Sequence, residues 1–276
     1  MNLKYTNRWY TSQVSDDLSD YVVIDVTSRV LRDREFMKDH PGFHKDVSPF
    51  YLGPLVTSDG LKCHIFEHFW QASKVFPCHL VCDELTDEFF SWRKSWYDME
   101  KVKNKTESRR PHSLLGYKDK DCLFSVFYED GEYKRLTYVE ARKKMYIPEY
   151  AKLIVKTESY KWIKSLYDSG KKIALVDFDG YNYYYDTAKE KLYNSYVNRV
   201  KYPSVSKSDY LNLDSMKKVI DCGFTPAGHS FIIKMLLEGD IEVVGDQVID
   251  HIHALDIKER KPLSLLPQGG YHELGI

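Results

Sequence analysis

The chain has 276 residues, 43% of them apolar, with 40 basic and 41 acidic side chains, which suits one large domain or two small ones with a proper core. The net charge of −1 and the lack of a polybasic tract exclude a large electrostatic footprint on nucleic acid, though not contact with a short strand or one nucleotide. Five cysteines, an odd number, argue against a disulfide framework and for a reducing compartment. The first 30 residues are polar and no apolar run approaches about 20 residues, so a soluble, cytoplasmic chain away from the membrane is expected.

Along the chain, Tyr21 to Val26 has the β-branched content of a strand; the rest of residues 1–47 reads as irregular, with a short helix plus loop between Ser28 and Lys45. Ser48 to Pro54 is a tight loop. Leu55 to Thr57, the Ser58-Asp59-Gly60 turn and Leu61 to Phe66 suggest a hairpin. A helix is expected from about Phe66 to Phe76, where Pro77 stops it, and a second over Asp83–Lys103. Leu123–Tyr128 and Tyr133–Leu136 form a hairpin around Glu129-Asp130-Gly131. Tyr138–Lys144 and Pro148–Tyr167 follow the 3.6-residue period up to Ser169-Gly170. Ile173 to Val176 is a buried strand that delivers Asp177-Phe178-Asp179-Gly180 at its end. Asp186–Val200 and Ser215–Ile220 read as helical, and Gly228–Glu238 is a strong apolar helix followed by a small strand and a tail. With no repeat and no linker, one α+β domain with insertions is expected.

Three constellations carry chemistry. His64-Ile65-Phe66-Glu67-His68 fits the H-x-x-E-H pattern of zinc hydrolases, with Cys63, Cys78, His79 and Cys82 nearby; a helix starting after His64 breaks that geometry. Asp177-Phe178-Asp179-Gly180 after a buried strand resembles the first motif of haloacid-dehalogenase-type phosphatases; the bland reading is an aspartate capping a turn. The third is Glu67-His68-Phe69-Trp70-Gln71-Ala72-Ser73-Lys74. On one continuous helix Glu67, Trp70 and Lys74 would line a stripe, their ends about 10 Å apart along the axis. Acid, indole and amine make a poor core face and a reasonable wall for a polar ligand with a flat group. Burial would raise the carboxyl pKa and lower that of the amine, as general acid/base and nucleophile require. The alternative is a surface helix with Glu67 and Lys74 in water.

Ser48-Pro49-Phe50-Tyr51-Leu52-Gly53-Pro54, then Asp59-Gly60, then Glu67 to Lys74 resembles the signature of the NADAR (YbiA-like) superfamily, near S-N-F-Y-x-x-P, D-G, E-H-[YF]-x-Q-A-x-K. Tyr138 to Arg142, Leu175 to Asp177 and Gly228 to Glu238 are similar to its later elements. The family-like part spans about residues 48–239, between an N-terminal extension (1–47) and a C-terminal tail (240–276). The chain departs from the family at Gly180 to Tyr183, where members read D-x-x-W-G, a divergence similar to that of phage-encoded branches, which would act in a host cytoplasm.

The resemblance implies a compact, mostly helical α+β domain with a small sheet. It implies hydrolysis of N-glycosidic bonds in ADP-ribosylated or phosphoribosylated substrates, such as removal of ADP-ribose from guanine in nucleic acid, with no metal or other cofactor. By that resemblance Glu67 is the catalytic glutamate, Lys74 captures the sugar carbon as an imine, and Asp177 is a further acidic catalytic residue. Trp70, Tyr51, Phe50, Gln71, Asp179, His229 and Arg29 are then candidate substrate contacts, with Arg32, Arg109 and Arg110 as further phosphate donors. The expected partner is an ADP-ribose-containing or ribosylated small molecule or nucleobase, with transient contact to nucleic acid. The alternative is a module that binds ADP-ribose or a nucleotide without cleaving it.

Overall fold

The structure, a computed structural model, describes residues 3–7, 19–27, 39–40, 42–100, 111–177, 217, 219–221, 223 and 227–257. Its elements alternate short strands and helices in an α+β arrangement. In chain order they are β1 (Leu3–Asn7), β2 (Val22–Asp25), α1 (Phe43–Asp46), β3 (Leu55–Val56), β4 (Lys62–Cys63) and α2 (Phe66–Ala72). There follow β5 (Lys74–Val75), β6 (Leu80–Val81), β7 (Glu84–Leu85), α3 (Asp87–Tyr97), β8 (Phe124–Glu129), β9 (Glu132–Leu136) and α4 (Tyr138–Ala141). A π-helical turn over Arg142–Tyr146 leads into α5 (Ile147–Ile154), then α6 (Glu158–Asp168), β10 (Ile173–Asp177), α7 (His229–Glu238), β11 (Ile241–Val244) and β12 (Gln247–Asp250). Among the described residues no helix is long and apolar enough to cross a membrane.

The chain divides into two compact units, Met1–Ser48 with Tyr150–Ala254, and Pro49–Glu149 with Leu255–Ile276. In the first, β10 runs between β1 and β2, parallel to both, with Leu175 opposite Tyr5 and Ile24. All five β10 residues are buried, which is why its first four, Ile173 to Val176, read as an apolar run rather than an alternating pattern. Helix α1 is fastened to α6 by the Phe43 ring against Trp162 at 5.9 Å and by Ser159 Oγ donating to Asp46 at 3.2 Å. Thr157 caps α6, and Gly170, at φ 79°, follows its end. Helix α7 starts at the Gly228 cap and leads into the antiparallel β11–β12 hairpin.

In the second unit, β3 pairs with β4, β6 with β7, and β5-β8-β9 form a three-stranded antiparallel sheet. The β8–β9 turn places Asp130 at φ 55° and Gly131 at φ 85°, the left-handed pair that a two-residue hairpin demands. Val75, Phe89 and Val126 form a core with Leu80, Leu85, Phe90 and Trp92 around it.

A buried network ties the pieces of this unit together. Arg93 of α3 donates to Asp59, which closes the β3–β4 turn, at 2.7 Å, and to the Tyr97 hydroxyl at 2.9 Å. Tyr133 of β9 donates to the same carboxylate at 2.8 Å. Burial works against the Asp59 charge, but hydrogen bonds from Thr57 and Tyr133 and the Arg93 guanidinium outweigh it and hold its carboxyl below the usual range.

Candidate functional site

Helix α2 is short and every one of its residues is buried. Its first amides are satisfied by the preceding loop: Phe66 N–H donates to the Leu52 carbonyl at 2.8 Å, and Glu67 N–H to that of Pro49 at 2.9 Å. Those bonds meet the usual shortage of partners at a helix start. They also give the Ser48–Pro54 motif a physical task, because it fixes where the Glu67 side chain departs.

The expected helix through Phe76 is shorter than the period suggested. It ends at Ala72, and Lys74 and Val75 form β5, opposite Ser125 and Phe124 of β8. Ser73 Oγ turns back to donate to the Phe69 carbonyl at 2.7 Å, the local competition that weakens helix ends. The Val126 amide then bonds the Ser73 carbonyl at 2.9 Å. Lys74 therefore leaves from a strand, and the expected stripe of Glu67, Trp70 and Lys74 along one helix does not exist.

Two of the three side chains nonetheless meet. Lys74, only 5% exposed, places Nζ 5.6 Å from the centre of the Trp70 ring, within reach of a cation–π attraction. Nζ also donates to Asp119 Oδ1 at 3.3 Å. Trp70 is enclosed by Tyr146 at 5.0 Å and Tyr138 at 6.0 Å, and the Arg142 guanidinium lies 4.6 Å over Tyr138. Glu67, 9% exposed, accepts from Gln71 Nε2 at 2.9 Å. That bond leaves the Gln71 carbonyl oxygen buried with no partner among the described residues. Phe50 is half-buried, and Tyr51, 53% exposed, stands on the turn just before Leu52.

Asp177 and His229 belong to the other unit, where they meet. The Asp177 carboxylate accepts from the Ser230 amide at 3.1 Å and lies 3.5 Å from His229 Nδ1, while His229 Nε2 contacts the Val26 carbonyl. A carboxylate at the start of α7 satisfies helix amides and complements the dipole, a structural task that accounts for its burial. Asp179, Arg29, Arg32, Arg109 and Arg110 lie outside the described residues, as do residues 186–200.

His64 sits in the bend before α2, and His68 Nδ1 is 3.1 Å from the Trp96 carbonyl, so the two are not one turn apart on a helix. Among the described residues no three His, Cys, Asp or Glu side chains are grouped to hold a metal ion. Sequence reasoning missed Asp119, His112, Ser125, Tyr138, Tyr146 and Arg142. Asp119 is 45 positions from Lys74, and no spacing rule reaches that far. The one visible signal was the aromatic and basic run from Tyr138 to Tyr146.

No family model matches the chain, and neither a curated protein nor a solved structure matches it.

Proposed function

We propose that the chain is an N-glycosidase-type hydrolase that acts on an ADP-ribosylated or phosphoribosylated substrate, such as ADP-ribosylated guanine in nucleic acid. One observation carries the reading. A buried carboxylate, Glu67, and a buried amine, Lys74, lie in a single unit, the amine against the Trp70 ring and the carboxylate bonded to Gln71, whose amide oxygen lacks a partner among the described residues. Charged groups are rarely enclosed without a task.

Loss of a base from a ribose builds positive charge at the anomeric carbon. A carboxylate already stripped of water and oriented by Gln71 stabilises that charge without reorganising. Glu67 is accordingly assigned to charge stabilisation and proton transfer, and Lys74 to attack on the sugar carbon. Trp70 is walled in by Tyr138, Tyr146 and Lys74, so its part is to orient the amine. Tyr51, the exposed ring, is the one assigned to stack on the base. No step calls for a metal.

Incubation with ADP-ribosylated guanine DNA, followed by mass spectrometry of released ADP-ribose, tests the reading. Glu67→Gln is expected to lower the rate by about 10²–10⁴ while the circular dichroism spectrum is retained. Unchanged release in that variant removes Glu67 from the mechanism.

A second reading has its own support. Lys74 donates to Asp119, and an ammonium is no nucleophile. If the amine stays so engaged, the same site binds an ADP-ribose-like ligand without cleaving it. Calorimetric binding with no product over hours distinguishes the two.

A further inference from the structure

Asp119 Oδ1 has two buried neighbours. Lys74 Nζ lies 3.3 Å from it, and His112 Nε2 lies 3.2 Å from the same atom. The His112 contact is at ion-pair distance but outside hydrogen-bond alignment, and neither ring nitrogen has a hydrogen-bond partner among the described residues. The imidazole is fully enclosed and lies nearly parallel to Phe76, with ring centres 4.8 Å apart. Across the sheet Lys74 faces Ser125, whose buried hydroxyl also lacks a partner among the described residues. Buried polar groups are ordinarily satisfied. Two unsatisfied side chains, one opposite Lys74 and one against the carboxylate that Lys74 contacts, mark a place where a proton or a polar ligand is expected.

We infer that Lys74, Asp119 and His112 form a proton relay that converts the Lys74 ammonium into a nucleophilic amine. The inference rests on the proposed role of Lys74 as the group that attacks a sugar carbon. An N–H bond breaks at Nζ and one forms at His112 Nε2, across the carboxylate oxygen they share. The positive charge moves from ammonium to imidazolium and the carboxylate stays negative, so the trio's net charge does not change. That matters in a buried site, where creating a new charge is costly.

The amine lone pair then attacks the carbonyl carbon of an open-chain aldose, and the nitrogen's extra proton passes to the oxygen to give a carbinolamine. The imidazolium proton returns across Asp119 to the departing hydroxyl. One water leaves, the nitrogen lone pair completes the C=N bond, and the product iminium carries the charge that the ammonium began with. His112 acts through Asp119 and so is a positioning residue for the proton. The Phe76 stack holds its ring in place.

The test uses the full chain with ribose 5-phosphate and cyanoborohydride, which reduces the iminium to a stable secondary amine that peptide mass spectrometry locates. Lys74 is expected to be fixed faster than exposed lysines such as Lys164. His112→Ala should slow that fixation by about 10²-fold or more, and added imidazole should restore it. His112→Phe keeps a stacked ring but should stay slow with or without imidazole. Asp119→Asn should be slow and Asp119→Glu partly active. The Asp119 side chain is 40% exposed, so its variants carry the test if those at His112 fail to fold. A wild-type fixation rate in either His112→Ala or Asp119→Asn overturns the relay, as does a Lys74 no faster than Lys164. The readout involves no N-glycoside. A chain that fixes ribose 5-phosphate through His112 yet frees no ADP-ribose overturns the hydrolase reading alone, and the converse overturns the relay alone.

Discussion

Gly53 shows how one residue's lack of a side chain positions the site. Its φ is 142°, and a Cβ added there would lie 2.3 Å from the His64 carbonyl oxygen. The oxygen is backbone and a Cβ is fixed rigidly to its own backbone, so relief requires the chain to move. His64 stands two residues before α2, whose first amides are held by the same loop. Gly53→Ala is therefore expected to destabilise the fold by about 3 kcal/mol and to misplace Glu67. A denaturation midpoint at the wild-type value would contradict the close approach. Cysteine reactivity gives a second check at this scale. Burial pushes the Cys63 thiol up to about 12, and only thiolates react quickly. Cys78 and Cys82 are exposed. Iodoacetamide at pH 8 is expected to label those two in the native protein and to reach Cys63 only after unfolding, as peptide mapping would report.

At the scale of elements, what the sequence revealed was what local chemistry dictates. The β8–β9 hairpin was legible because Asp130-Gly131 is itself a turn signal, and β10 because a strand buried on both faces carries an apolar run, here Ile173 to Val176. The end of α2 was not. Pro77 is an explicit helix breaker, but the real stop is set four residues earlier by pairing with a strand fifty positions away, a tertiary contact that overrides propensity. Strand β1 was hidden for the same reason: Leu3–Asn7 is ordered by its pairing with β10, not by any pattern of its own. Of the candidate site, Glu67, Trp70 and Lys74 stand out in the sequence by their order, while the contact of Lys74 with Asp119 and of Asp119 with His112 has no local signal. Asp59 was read as a turn residue, yet it anchors α3 and β9 through Arg93 and Tyr133. Asp59→Asn leaves Arg93 buried without a counter-charge and is expected to cost about 3–5 kcal/mol. The paired change Asp59→Leu with Arg93→Met should recover much of that loss. A double-mutant cycle from urea titrations in which the two effects simply add would refute the coupling.

At the scale of the whole molecule, the same groups set the response to acid. His79 is enclosed between Phe89 and Trp92, and burial lowers its pKa to about 4. In the unfolded chain the imidazole takes a proton near 6.5. Below that pH the unfolded state binds more protons than the folded one, so stability falls as pH drops from about 6.5 to about 4 and then levels off. The arm amounts to about 3 kcal/mol. Asp59 has a lowered folded pKa, so its contribution is present above the ordinary carboxyl range and is lost as pH falls through the folded value. The two losses follow one another, the histidine first. Both residues belong to the unit Pro49–Glu149, which also holds Trp70, Trp92 and Trp96. Their fluorescence, read in a background with Trp9→Phe and Trp162→Phe, should report a urea midpoint that declines between pH 6.5 and 4 and goes on declining below as Asp59 takes its proton. His79→Leu removes the first arm and leaves the second. If the decline above pH 4 is as steep in that variant as in the parent, some other group is responsible for it.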